Sequence, residues 1–323
     1  MASTELAPQA PVATPAAKAP LRGHRDLLDR RLARLGWGFT APALIFVGLV
    51  TIFPIVFAIV LSFEKVNVTA NGFQLQGATL NNYHVVLTAG LWHHALWFTT
   101  YYTVVSVIVE VALGTVFALV LERLTRLRGM MMAVLLIPWS LITVISAELW
   151  GYIYNATYGV LDDLSHLFGT GEPVVLGTPL AATVSLIFAD VWKTTPFVTI
   201  IVLAGLVMLP QDIYEASEVD GASGWKTFWT ITLPLLRPTL AIAVLFRILQ
   251  AFGIFDLPYV LTGGGPGNST TSLAILGYNT LFLDLDWGPG AAVATTTALI
   301  ILLMCIIFLR VFKSQVGKET VGA

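Results

Sequence analysis

The sequence predicts an all-α integral membrane protein with six transmembrane helices and both termini in the cytosol, and three observations carry that expectation. Hydrophobic residues make up 56% of the 323-residue chain and charged residues 11%, and the mean hydropathy is +0.81, far from soluble averages. Six predominantly apolar stretches reach the length of about 20 residues that a helix needs to cross the hydrocarbon layer: residues 38–62, 95–121, 130–153, 180–209, 235–261 and 289–310. The basic residues then fall on one side. Lys18, Arg22, Arg25, Arg30, Arg31 and Arg34 precede the first stretch, Arg123, Arg126 and Arg128 follow the second, Lys226 and Arg237 follow the fourth, and Arg310, Lys313 and Lys318 close the chain. These are 14 of the 17 Lys and Arg residues, while only Lys65 lies in an opposite-side connection. Cytosolic loops concentrate such residues.

The elements follow in order. Residues 1–20, mostly Ala and Pro, read as a disordered cytosolic tail without an apolar segment long enough for a signal peptide. Residues 21–36 read as a basic amphipathic helix on the membrane surface, residues 37–312 as the transmembrane domain, and residues 313–323 as a second cytosolic tail. The outer connections 64–92, 155–178 and 263–288 are polar and acidic, with Asp162, Asp163, Glu172, Asp284 and Asp286. They are long enough to form a receiving surface. Cys305, the sole cysteine, cannot form an internal disulfide and gives no basis for redox chemistry.

The sequence argues against several chemistries. The glycine-rich run Gly263–Thr270 lacks a Gly-Lys-Ser/Thr end and a preceding soluble strand, so it is not a nucleotide cradle. The Asn-x-Ser/Thr triplets at Asn67, Asn155 and Asn268 read as ordinary loop residues. There is no metal-ligand cluster and no nucleophile beside a credible base, and the adjacent His93 and His94 cannot share one helix face. A catalytic role for this chain is not expected, and neither is a nucleic-acid partner.

One polar interruption, residues 211–238, stands between the fourth and fifth stretches. Asp212 followed by Glu215 predicts a helix start with Asp212 as the cap. Gly221 is expected to end that helix after Asp220, Ser223 to cap a second, and Pro234 to close the segment after the aromatic side formed by Trp225, Phe228 and Trp229. Two short helices at a glycine turn suit insertion into a groove on another protein.

Here the residues resemble a known family. Glu215-Ala216-Ser217, Asp220-Gly221-Ala222, Leu233-Pro234 and Pro238 closely resemble the EAA loop of binding-protein-dependent ABC importer permeases, with Ser217 where that family usually carries Ala. Gly77-Ala78-Thr79-Leu80-Asn81-Asn82-Tyr83 looks like the family's Asn-Tyr element, and Leu261–Thr270 is similar to the glycine-rich turn of its carbohydrate branch. The resemblance covers residues 38–312 and implies a type I permease fold. It further implies that Tyr214, Glu215, Ala216, Ser217, Asp220, Gly221, Ala222, Leu233 and Pro234 engage an ATPase. The implied partners are a second homologous permease, two ATPase subunits, an extracytoplasmic sugar-binding protein or lipoprotein, and membrane lipid in a bacterial inner (plasma) membrane. ATP and Mg would be used by the ATPase, with no cofactor bound by this chain.

Charges inside spans cost about 2.5 to 3.5 kcal/mol each at mid-membrane, so Glu110, Glu148, Asp190, Lys193, Arg247 and Asp256 are each candidates for function. Asp190 and Lys193, spaced i, i+3, continue through Thr194 and Phe197 along one face. An acid, a base, a hydroxyl and a ring suit a sugar, whose hydroxyls need polar partners and whose C–H surface needs an aromatic face. In the resembling permeases the spans on either side of the EAA loop line the transport path, which implies the stripes Asp190, Lys193, Thr194, Phe197 and Arg247, Gln250, Ile254 as substrate contacts. Glu148, Tyr152 and Asp256, nearer the outer ends, are further candidates. The same charges can instead lock helices, with Asp190 on Lys193 and Arg247 on Glu110 or Glu148. Mixed signs suit a neutral disaccharide such as trehalose; a glycerol-phosphate-type importer is the alternative, and a proton-coupled secondary transporter using Asp190, Glu148 and Arg247 is a third reading. Pro138 and Pro196 are expected to loosen the third and fourth spans, Trp139, Trp150 and Trp192 to be interface anchors or packing, and Gly114, Ala118, Ala204 and Gly205 to mark close helix packing.

Overall fold

The structure, a computed structural model, describes residues 22–69, 72–124, 126–168 and 174–319. The predicted tail at residues 1–20 lies outside them. Two units are distinguished, Met1–Val56 and Phe57–Ala323. The described part of the first unit is the bulk of helix α1, Arg22–Ser62. That helix joins the basic stretch and the first apolar stretch without a break, running through Pro42 and Pro54.

The second unit takes in the last turns of α1 and then a two-stranded antiparallel hairpin, β1 Glu64–Thr69 and β2 Gly72–Ala78, within the connection 64–92. The register pairs Thr69 with Gly72 and Val68 with Phe73, and Gly72, the first residue of β2, takes φ +104°. Helix α2, Asn81–Thr88, follows. Its Asn82 amide donates to the carbonyls of Ser62 and Glu64 at 3.0 and 2.9 Å, and Tyr83 Oη shares a 2.7 Å bond with Ser62 Oγ. The Asn-Tyr element thus supplies partners to the C-terminal end of α1, where carbonyls lack intrahelical donors.

The long helices come next: α3, Gly90–Arg123; α4, Arg128–Ser140; α5, Thr143–Ile153; α6, Val160–Phe168; and α7, Pro179–Val207. The expected third span is two helices, α4 and α5, bent by 90°. Pro138 lies one turn before the break and its carbonyl accepts from Leu141 N–H at 3.3 Å, so the proline loosens this span as expected. α7 is unbroken at Pro196, which still removes one backbone donor from the helix. Thr178 caps it, accepting from Ala181 N–H.

After α8, Gln211–Val219, and α9, Gly224–Thr227, one π turn over Phe228–Thr232 leads directly into α10, Leu233–Phe252. Two expectations are corrected here. Pro210, not Asp212, is the capping residue of α8, and no side chain caps that end; Asp212 lies in the first turn, where the helix dipole favours an anion. Pro234 does not close the segment. It lacks an N–H for the carbonyl four residues back, and the wide turn, in which Leu233 N–H donates to the Phe228 carbonyl, carries the helix past it. Gly224–Phe252 is therefore one continuous apolar helix. It stops at Gly253, short of the expected end at 261, and α11, Asp256–Thr262, is a separate short helix. Then come α12, Leu273–Tyr278, a second π turn over Asn279–Leu283, and α13, Trp287–Glu319.

Among the described residues five helices are long and apolar enough to cross a membrane, or six if the bent α4–α5 pair is one span. α3 and α7 form the central contact. A Cβ on Gly114 would meet Val198 Cγ1 at 2.7 Å, and one on Gly205 would meet Thr239 Oγ1 at 2.5 Å. Together with the fully buried Ala118, these small residues set the approach of α7 to α3 and α10. Ala204, expected to share this role, is exposed. Three apolar clusters follow from the packing: Phe98, Tyr102, Trp150, Leu186 and Leu257 at one level, Trp92, Phe252, Leu273 and Val293 at another, and Ala118, Val198, Val202 and Leu236 around the close contact. The turn Thr262–Thr271 ties itself with its own hydroxyls, Thr262 to Thr270 at 2.7 Å and Thr271 to the Gly264 carbonyl at 3.2 Å.

Candidate functional site

Two sites emerge, one inside the helical bundle and one at the polar interruption. The inner one centres on Arg247, buried to 2% exposure in the C-terminal part of α10. A guanidinium offers five N–H donors in a fixed fork, and here three carboxylate or amide partners take them. Glu110 of α3 receives both Nε and Nη2, the latter at 2.7 Å. Asp190 of α7 receives Nη2 at 3.1 Å, and Gln250 Oε1 receives Nη1 at 2.9 Å. Thr194 Oγ1 donates to Glu110 Oε1 at 2.7 Å. Buried Tyr102 stands within the electrostatic influence of Asp190 and Glu110.

The helix-locking alternative is thus realised for Arg247 and Glu110, and Asp190 takes Arg247 rather than the expected Lys193. No ion pair joins Asp190 to Lys193 among the described residues; side chains three apart on one helix are neighbours, but the buried Asp190 carboxylate, which needs a partner, takes the Arg247 guanidinium across the bundle at 3.1 Å. Lys193 is half-buried and within electrostatic reach of both Asp190 and Asp256.

Phe197 lies one turn along α7 from Lys193 and Thr194. Its ring stacks on Trp139 at 6.0 Å and 17° and meets Phe246 edge-on at 6.2 Å. Trp139 sits beside the α4–α5 break and Phe246 beside Arg247 in sequence, and both are exposed. Phe246 is not among the contacts expected from the sequence, and Trp139, expected as an interface anchor or packing, packs on Phe197. Non-helical backbone at membrane depth is tolerated where protein or a water-filled cavity covers it, which favours a lining role for residues at that break. Of the other expected contacts, Gln250 and Asp256 are exposed beside this region, while Glu148 and Tyr152 are exposed on α5 and take no part in the Arg247 network. Outside the spans, burial and then the neighbouring Asp284 raise the Asp286 carboxyl above its ordinary range.

The second site is the hairpin of α8 and α9. Gly221 adopts φ +70°, the left-handed conformation that a residue without a Cβ takes cheaply. Ala222 N–H then donates to the Ser217 carbonyl and Gly221 N–H to the Glu218 carbonyl, both at 3.0 Å. This paired closure explains the order Asp220-Gly221-Ala222. Ser223 caps α9 as expected, accepting from Lys226 N–H. Glu215, Ala216 and Asp220 are exposed, Tyr214, Ala222, Leu233 and Pro234 are half-buried, and Ser217 is buried. Ser217 Oγ pairs with Thr227 Oγ1 at 3.3 Å, and Tyr214 Oη donates to Thr232 Oγ1 at 3.2 Å, so hydroxyls bind α8 to the start of the long helix. Trp225 and Trp229 remain exposed, with centroids 5.7 Å apart.

Comparisons with known proteins agree with this architecture. The chain is 40% identical over 286 residues to a trehalose/maltose transport system permease protein of Thermococcus litoralis, covering 88% of this chain and 95% of that one. It is 38% identical over 298 residues to a trehalose transport system permease protein of Mycobacterium tuberculosis, covering 92% and 94%. In fold it matches a chain of a bacterial ABC transporter involved in the import of the acidic polysaccharide alginate, with a TM-score of 0.75 at 18% identity over 90% of this chain and 99% of that one. Residues 96–316 match the family described as the binding-protein-dependent transport system inner membrane component, and the chain belongs to that family.

Proposed function

We propose that this chain is one of two permease subunits of an ATP-driven sugar importer in a bacterial inner membrane, with trehalose or a closely related neutral disaccharide as substrate. The relatives named for trehalose and maltose support the substrate class, and the accessible mixture of Lys193, Gln250 and Asp256 with the rings of Phe197, Trp139 and Phe246 supplies the polar and apolar faces that a pyranose needs. A solved relative is titled as an alginate transporter in complex with an alginate pentasaccharide-bound periplasmic protein, which supports delivery by an extracytoplasmic receptor. ATP hydrolysis belongs to two cytosolic ATPases that the α8–α9 hairpin engages through Glu215, Ala216 and Asp220.

One observation carries the reading. The hairpin passes without a break into the helix Gly224–Phe252, which at about 1.5 Å per residue is roughly 43 Å long and bears Arg247 and Gln250 near its far end. A displacement imposed on the hairpin therefore reaches the candidate pathway along a single rigid element. ATP-driven closure tilts that helix and opens the cavity between the two permeases, and the sugar favours whichever state it contacts better.

The test is reconstitution of this chain with its partner permease and ATPases in proteoliposomes supplied with the receptor. ATP-dependent accumulation of radiolabelled trehalose, indifferent to an uncoupler, is expected. Uptake that an uncoupler abolishes and ATP depletion spares would contradict the proposal, as would labelling of a Tyr214→Cys thiol from outside the cell.

A further inference from the structure

We infer that Glu110, on the helix that the pathway reading leaves out, is a positioning residue that turns one edge of Arg247 toward the substrate. The inference rests on the pathway reading above and adds a residue to it. Glu110 is fully buried, and each of its oxygens is committed. Oε2 accepts from Arg247 Nε, and Oε1 accepts from Nη2 and from Thr194 Oγ1, both at 2.7 Å. With Asp190 also on Nη2, the buried edge of the guanidinium is spent on fixed acceptors. The edge left over is Nη1, and its partner is the exposed Gln250.

The arrangement has a direction. The guanidinium is itself planar, and one held by a carboxylate on both Nε and Nη2 cannot turn about its Cδ–Nε bond without breaking both contacts. Asp190 alone, gripping a single nitrogen, would not prevent that rotation. Glu110 is therefore the group that aims Nη1, and Thr194 Oγ1, whose one hydrogen is shared between the Glu110 carboxylate and the Asp190 carbonyl at 2.6 Å, supports Glu110 from the α7 side. A sugar hydroxyl arriving beside Gln250 meets an oriented cationic donor instead of a swivelling one, which lowers the ordering cost of binding. Apart from its network partners, Glu110 faces Tyr102, which the same cluster buries.

The experiment uses the assembled importer with its receptor and compares Glu110→Gln and Glu110→Asp with the parent chain, following trehalose uptake, receptor-stimulated ATP hydrolysis, complex yield and the rate at which phenylglyoxal modifies Arg247. Glu110→Gln should lower uptake by at least about tenfold, the scale of one charge-assisted contact, while hydrolysis and yield stay within about twofold, and Arg247 should react faster. Glu110→Asp, which keeps the charge, should recover part of the uptake. Should Glu110→Gln not assemble, Thr194→Val removes the hydroxyl that steadies the carboxylate and should shift the same readouts in the same direction. Uptake unchanged in Glu110→Gln, equal losses of uptake, hydrolysis and yield, or an unchanged Arg247 reaction rate would each overturn the inference. If the parent chain imported no sugar, the proposed function would fail, whereas the Arg247 reaction rate would still decide what Glu110 does.

Discussion

The α8–α9 hairpin and the Arg247 network are both polar interruptions of an oily chain, yet they are held together in opposite ways. The hairpin is closed by partners 10 and 18 residues apart in sequence, Ser217 with Thr227 and Tyr214 with Thr232, and most of its surface is exposed. The network joins residues 57, 84 and 137 apart and is almost wholly buried. A locally closed unit can be stiff and still present a free face, which is what docking to a moving partner requires. A unit closed only by tertiary packing is stiff because the bundle is assembled, and it reports any change in that assembly.

The sharpest way to break the comparison is at Arg247. Arg247→Leu leaves Glu110 and Asp190 buried without their cation, and removing one partner of a buried ion pair costs about 3 to 5 kcal/mol. The expected outcome is loss of both complex yield and uptake, measured by solubilised recovery and a thermal unfolding midpoint. A variant with normal recovery would mean that the network does not hold α3, α7 and α10 together. Gly221→Val should act on function alone. Nothing lies within 4 Å of the position where its Cβ would be, so the cost is the left-handed backbone at φ +70°, about 1 to 2 kcal/mol for a residue with a Cβ, and greater for a β-branched one. Insertion and complex yield should persist while uptake is lost. Normal uptake by Gly221→Val would contradict the rigid hairpin.

The same contrast decides what could be read from the sequence. The glycine turn and the Ser223 cap were legible because each depends on residues within a few positions. Apolar length gave the spans to within a few residues for α3, α7 and the start of α13, but not the 90° break of α4–α5 or the end of α10 at Gly253, because length and hydropathy do not register a change of direction. The charges at Glu110, Asp190 and Arg247 announced themselves by their cost in a membrane, whereas their pairing did not, since an i, i+3 neighbour such as Lys193 is visible in a sequence and a partner 137 residues away is not. The continuous passage through Pro234 was missed for a related reason: a proline removes one donor, and a single π turn is enough to absorb the loss.

The smallest expected effect lies within the hairpin itself. Ser217 stands where the resembling loop usually carries Ala, and its hydroxyl points inward to Thr227 rather than out toward a partner, so docking of the ATPase should not depend on it. Removing it as Ser217→Ala, or removing the Tyr214 hydroxyl as Tyr214→Phe, deletes one bond between α8 and the long helix, worth about 1 kcal/mol each. Neither change empties the packing or leaves a buried charge, so ATP hydrolysis and complex yield should be unaffected. If α8 drives the long helix through these two ties, the double variant should import trehalose a few-fold more slowly for each ATP hydrolysed, with the ratio falling further than in either single variant. A double variant whose transport per ATP equals that of the parent would mean that the backbone closure around Gly221 transmits the movement unaided. The stiffness of the hairpin would then lie wholly in its turn.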